Sequence, residues 1–154
     1  MAYLVLKYLH VIGATVLLGT GSGIAFFMVM AHHTRDAAFV ARTAGIVVLA
    51  DKLFTATAVV AQPLTGYLLM RQTNAAMTEF WLMASMGLYV IAGLFWLPVL
   101  WIQAQMRDLA TVAAAAGEPL PPRYHRLYRT WFAFGFPGFG SVLAIIWLMI
   151  SKPS

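Results

Sequence analysis

The sequence predicts an all-α fold: a polytopic membrane bundle of four helices. Three observations predict it. Of 154 residues, 62% are hydrophobic and only 10% are charged, which lies far outside soluble-domain composition. Mean hydropathy is +0.80. Four apolar runs, residues 3–30, 44–70, 80–106 and 131–150, each reach the about 20 residues that a helix needs to cross a bilayer. The expected organisation is a single integral membrane domain over residues 1–154.

The absence of cysteine removes disulfides, thiolate metal sites and thiol nucleophiles. A net charge of +5 would suggest nucleic acid in a soluble chain, but these basic residues flank apolar runs and are topology signals. Arg35 and Arg42 lie between the first two helices, and Arg107, Arg123, Arg126 and Arg129 between the last two. The opposite side carries Lys7, Arg71 and Lys152. The positive-inside rule then puts both termini on the periplasmic side. The first run is too long for a signal-peptide core and lacks a convincing small-residue cleavage site, so it is read as a mature helix.

Helix 1 carries His10, the only histidine within an apolar run. At about 100° per residue His10, Ala14, Leu17 and Gly21 share one stripe, with Lys7 beside it toward the terminus. An imidazole above a smooth, small-residue surface suits a flat macrocycle whose iron the ring can bind. Lys7 would then pair a propionate near the surface. Thr15, Gly19 and Gly23 form a separate four-residue repeat suited to close helix contact, within the bundle or between protomers. His32 and His33, adjacent and therefore about 100° apart, read as interfacial residues, with metal binding as the alternative.

Helix 2 has the most polar stripe: Asp51, Thr55, Ala58, Gln62 and Thr65. With the helix starting near residue 44, Lys52 is expected to snorkel to nearby headgroups, and Asp51 to serve a polar access route or proton path from the cytoplasmic side. Pro63 frees the carbonyl of Val59, which then requires a partner. A kink with a spare acceptor beside Gln62 is a place for a cofactor or water.

Residues 71–79 carry no motif. Helix 3 opens on Phe80-Trp81, an interfacial anchor, and aligns Ser85, Tyr89, Ala92, Trp96 and Gln103 on one face. Met83 and Met86 are candidates for a second axial ligand opposite His10. Residues 107–122 read as an Ala-rich loop ending in a stiff Pro-rich connector, and residues 123–131 as a basic, aromatic anchor at the headgroups. In helix 4, Pro137 and three glycines thin a wall that aromatic side chains border, a surface suited to a porphyrin or quinone.

The opening Met-Ala-Tyr-x3-Lys7-x2-His10-x-Ile12-Gly13, together with Pro63-x2-Gly66-x2-Leu69, resembles small bacterial membrane proteins of the HemJ type, the protoporphyrinogen oxidases, and the CopD-like copper-resistance group. The chain looks closest to an uncharacterised family of four-helix bacterial membrane proteins allied to them, a resemblance that implies the bacterial inner membrane. When helix 3 is aligned on Trp81-Leu82, Ser85 holds the place of the functional lysine of HemJ-type proteins, which argues against protoporphyrinogen oxidase activity. No nucleophile with its base and no paired carboxylates are visible, so no catalytic residue is assigned and whether the chain is an enzyme is left open.

The leading expectation is a b-type haem-binding or porphyrin-interacting protein. It would place His10, Lys7, Ala14, Gly21, Gln62 and Ser85 around the cofactor and serve electron transfer with quinone or haem metabolism. A CopD-like protein handling copper through His10, Met83 and Met86 is the alternative, since thioethers favour Cu(I). A non-catalytic accessory subunit of a larger membrane complex is the third, and a clean homo-oligomer would count against it.

Overall fold

The computed structural model describes residues 1–153. Four helices account for nearly all of them: α1 (Ala2–Thr34), α2 (Ala37–Thr73), α3 (Phe80–Ala116) and α4 (Pro122–Ser151). All four are long and apolar enough to cross a membrane, and no strand occurs among the described residues. Consecutive helices pack on each other and α1 also touches α4, so the bundle closes as a ring in chain order.

Three helices extend well beyond the expected runs. Residues 37–43 are helical because Asp36 caps α2, accepting from the backbone N–H groups of Ala38 and Phe39 at 2.8 and 3.2 Å. Residues 107–116, expected as a loop, continue α3, because alanine is the strongest helix former and Ala110 and Ala113 are buried. Gly117, at φ 67°, ends α3 in the left-handed conformation, and the N–H of Glu118 closes back on the Ala113 carbonyl at 2.9 Å. The basic segment 123–130 belongs to α4, which starts on Pro122, where a missing N–H costs nothing.

The apolar core sits at the Arg-rich end. Met28, Ala31, Val40, Ala44, Met106, Ala110 and Tyr124 are all fully buried there. Toward the termini the buried residues are smaller or polar: Ala58, Gln62, Ser85 and Ser141. At that end Lys152 lies over the Trp81 ring, 5.3 Å from its centre, joining the end of α4 to the start of α3.

Within α2 the ladder widens to a single π turn at Asp51–Thr55, where the N–H of Ala56 reaches the Asp51 carbonyl. One residue bulges without breaking the helix. Because α2 starts at Ala37, Asp51 and Lys52 lie nine and ten residues beyond Arg42, about 13–15 Å at 1.5 Å per residue. Lys52 is exposed on the outer face of the bundle, with Asp51 turned inward.

Candidate functional site

His10 faces α2. Its Nδ1 lies 2.8 Å from Thr65 Oγ1, and Gln62 Nε2 donates to the His10 carbonyl at 2.7 Å. Two glycines permit the approach. A Cβ on Gly66 would lie 3.3 Å from His10 Cε1, and one on Gly13 would overlap Gln62 Nε2.

Thr65 Oγ1 also sits 2.8 Å from the Ala61 carbonyl and 3.2 Å from that of Gln62. When its one proton goes to those acceptors, as is common for helical threonine hydroxyls, Thr65 Oγ1 accepts from His10 Nδ1–H and Nε2 carries the lone pair. Nε2 makes no hydrogen bond among the described residues. The ring is half-buried, as are Ala14, Leu17 and Gly21 on the same stripe, and space is open where a Cβ on Gly21 would be.

The other sequence-predicted site residues make no hydrogen bond to this imidazole among the described residues. Lys7 is exposed, with Nζ 5.9 Å from the centre of the Tyr3 ring. Ser85 is buried and donates to its own helix at the Trp81 carbonyl, 2.7 Å away. Met83 and Met86 are 60% and 53% exposed on the outside of α3, whereas His10 faces α2. Among the described residues no group of three or more His, Cys, Asp or Glu side chains is arranged to hold a metal ion. The Thr15, Gly19 and Gly23 row also faces away from the packed interior, since a Cβ on Gly19 would meet nothing within 4 Å and one on Gly23 only its own helix's Phe27.

The polar faces of α2 and α3 do meet. Tyr89 donates its hydroxyl to the Val59 carbonyl, the acceptor released by Pro63. The spare acceptor expected to receive a cofactor or water is thus filled from α3. Further toward the Arg-rich end, Asp51 lies among Thr55, Trp96 and Gln103.

A third cluster escaped sequence reasoning. The His32 ring stacks on Tyr128, with centres 3.6 Å apart and planes 6° from parallel, and its Nδ1 lies 3.4 Å from the Tyr124 hydroxyl. His33 turns away and donates from Nδ1 to the Val29 carbonyl at 2.7 Å. Together His32, His33, Arg35 and His125 line a cavity of about 450 Å³. Ninety-two residues separate His32 from Tyr124, and the stretch supplying the tyrosines had the signature of a headgroup anchor.

Four apolar helices closed in a ring, with polar contacts only at a few interior points, define a multi-pass integral membrane protein. The chain belongs to the family described as predicted integral membrane protein (DUF2269), matched over residues 4–153. That match does not extend the resemblance to HemJ-type or CopD-like proteins. No curated protein and no solved structure matches the chain.

Proposed function

We propose that this chain is a haem- or porphyrin-binding protein of a bacterial inner membrane, with the Arg-rich end in the cytoplasm, in which His10 Nε2 would ligate the iron. The observation that carries the reading is the 2.8 Å contact between His10 Nδ1 and Thr65 Oγ1. With Nδ1–H donating to Thr65, Nε2 is free to ligate, the arrangement that holds a ligating imidazole in orientation and raises its basicity. The half-buried Ala14, Leu17 and Gly21 stripe provides a low surface for a flat ring. Bound haem would supply one-electron chemistry. The chain's part is to orient the ligand and shield the ring.

The test is the absorption spectrum and haem-to-protein ratio of the purified protein, before and after adding haem. A Soret band is expected, with iron and porphyrin in equal amounts. No Soret band under either condition, or copper without porphyrin, overturns the proposal. His10→Ala should abolish haem retention and His10→Gln should not restore it, while Lys7→Ala should have a mild effect because water replaces an exposed propionate partner. Thr65→Val should weaken haem affinity about 10–100-fold, as loss of a partner behind a ligand does. Full haem occupancy in His10→Ala would leave His10 as a helix contact alone.

A further inference from the structure

Three side-chain polar atoms among the described residues are fully shielded and have no hydrogen-bond partner: Thr55 Oγ1, Trp96 Nε1 and Gln103 Oε1. All three belong to residues that face the Asp51 carboxylate as hydrogen-bonding neighbours, though none of these three atoms reaches it in close, well-aligned geometry. Unpaired buried polar groups are uncommon; the Asp51 carboxylate can serve the Thr55 and Trp96 donors, and the acceptor Gln103 Oε1 is the one left calling for a proton. Their setting is deep in the bundle, with Asp51 3%, Thr55 7% and Gln103 2% exposed.

The local backbone explains one of the three. Most serine and threonine hydroxyls in these helices donate to the carbonyl four residues back, as in Thr15, Thr57, Ser85 and Ser141. Thr55 closes the π turn, and its hydroxyl stays uncommitted. Trp96 offers only a donor and Gln103 Oε1 only an acceptor. An ionised Asp51 can accept from Thr55, from Trp96 and from the Gln103 amide nitrogen, but it has nothing to give Gln103 Oε1. That oxygen requires a proton on a neighbour, which a water or a protonated carboxyl supplies.

We propose that Asp51, Thr55, Trp96 and Gln103 form a proton-binding site within the membrane: one water bridges Trp96 Nε1–H to Gln103 Oε1, and the Asp51 carboxylate beside it takes up and releases a proton. The balance is simple. The carboxylate and hydronium give carboxylic acid and water, and one bond to hydrogen is exchanged. A water with one donor and two or three acceptors around it has the partner number that buried waters keep. Trp96 Nε1–H, a donor, disfavours a metal cation in the same place. No charged side chain of α1, α3 or α4 acts on Asp51, and Lys52, its neighbour on α2, is exposed on the outer face.

The experiment is infrared difference spectroscopy of the full chain in lipid nanodiscs, cycled between acid and alkaline buffer in H₂O and D₂O. A carbonyl band of a protonated carboxylic acid is expected, shifted in D₂O, lost in Asp51→Asn, and moved in frequency by Trp96→Phe and Gln103→Leu. The bridging water should show as an O–H stretch that shifts in H₂¹⁸O and disappears in Gln103→Leu. A band that survives Asp51→Asn, or one moved by sodium at constant pH, overturns the proposal. Should Asp51→Asn fail to fold, the wild-type chain labelled at aspartate Cγ carries the test, since it has three aspartates, Asp36, Asp51 and Asp108. Three signals titrating together like solvent-exposed carboxylates would overturn it. None of these readouts depends on haem.

Discussion

At the scale of single residues, the α1–α2 contact depends on two missing β-carbons. Gly13→Ala pushes a methyl into the Gln62 amide, which must leave the His10 carbonyl. The expected loss is about 1–3 kcal/mol, as for overpacked sites. Gly19→Ala, with nothing within 4 Å of the new atom, should leave thermal unfolding in detergent unchanged, and equal losses in the two variants would contradict this assignment. A second pair tests the proline. Tyr89→Phe removes the donor to the Val59 carbonyl and should cost about 0.6 kcal/mol, the average for hydrogen bonds inside membranes. In a Pro63→Ala background residue 63 regains an N–H for that carbonyl, so the same Tyr89→Phe change should cost almost nothing. A double-mutant cycle with no coupling would show that Tyr89 does not compensate for the proline.

At the scale of elements, the decisive events are where helices start and stop. Asp36 sets the start of α2 seven residues before the hydrophobic run is evident, and Asp36→Ala should destabilise the protein by about 1 kcal/mol, the usual loss for an N-cap. Amide hydrogen exchange should accelerate at residues 38–40 and stay unchanged at residues 56–73. Uniform acceleration along α2 would contradict a local cap. The π turn at Asp51–Thr55 has the same character: a local change of hydrogen bonding that directs a polar side chain. It turns Asp51 toward Trp96 and Gln103 and leaves Lys52 outside.

At the scale of the whole molecule, packing changes character along the bundle axis. Helices α2 and α3 each run 37 residues, about 55 Å at 1.5 Å per residue, against a hydrocarbon layer of about 30 Å. The large apolar core lies at the Arg-rich end, whereas the contacts at Gly13, Gly66, Gln62 and Thr65 rest on small residues and hydrogen bonds, the means by which helices associate where no hydrophobic force acts between them. Met106→Ala, at a fully buried site, should cost about 2–5 kcal/mol. Met83→Ala, on the outer face, should stay within about 0.5 kcal/mol. Equal effects in unfolding of the detergent-solubilised protein would place the core elsewhere.

The number of helices and the polar faces of α2 and α3 were legible in the sequence, because hydropathy and a 3.6-residue period are local properties of the chain. So was the need of the Val59 carbonyl for a partner, since proline chemistry is local too. Helix ends were less legible. The expected boundaries followed hydrophobicity, whereas residues 107–116 and 122–130 are helical through alanine content, proline at the first turn and burial of Ala113 and Tyr124. Tertiary structure alone decided which polar faces meet, that Thr65 partners His10 Nδ1, and that Thr55, Trp96 and Gln103 converge on Asp51. These depend on helix rotation and on a one-residue π bulge, neither of which leaves a periodic trace. A periodicity reports which side of a helix is polar, while the partner across the interface is set by the packing of chain segments tens of residues apart.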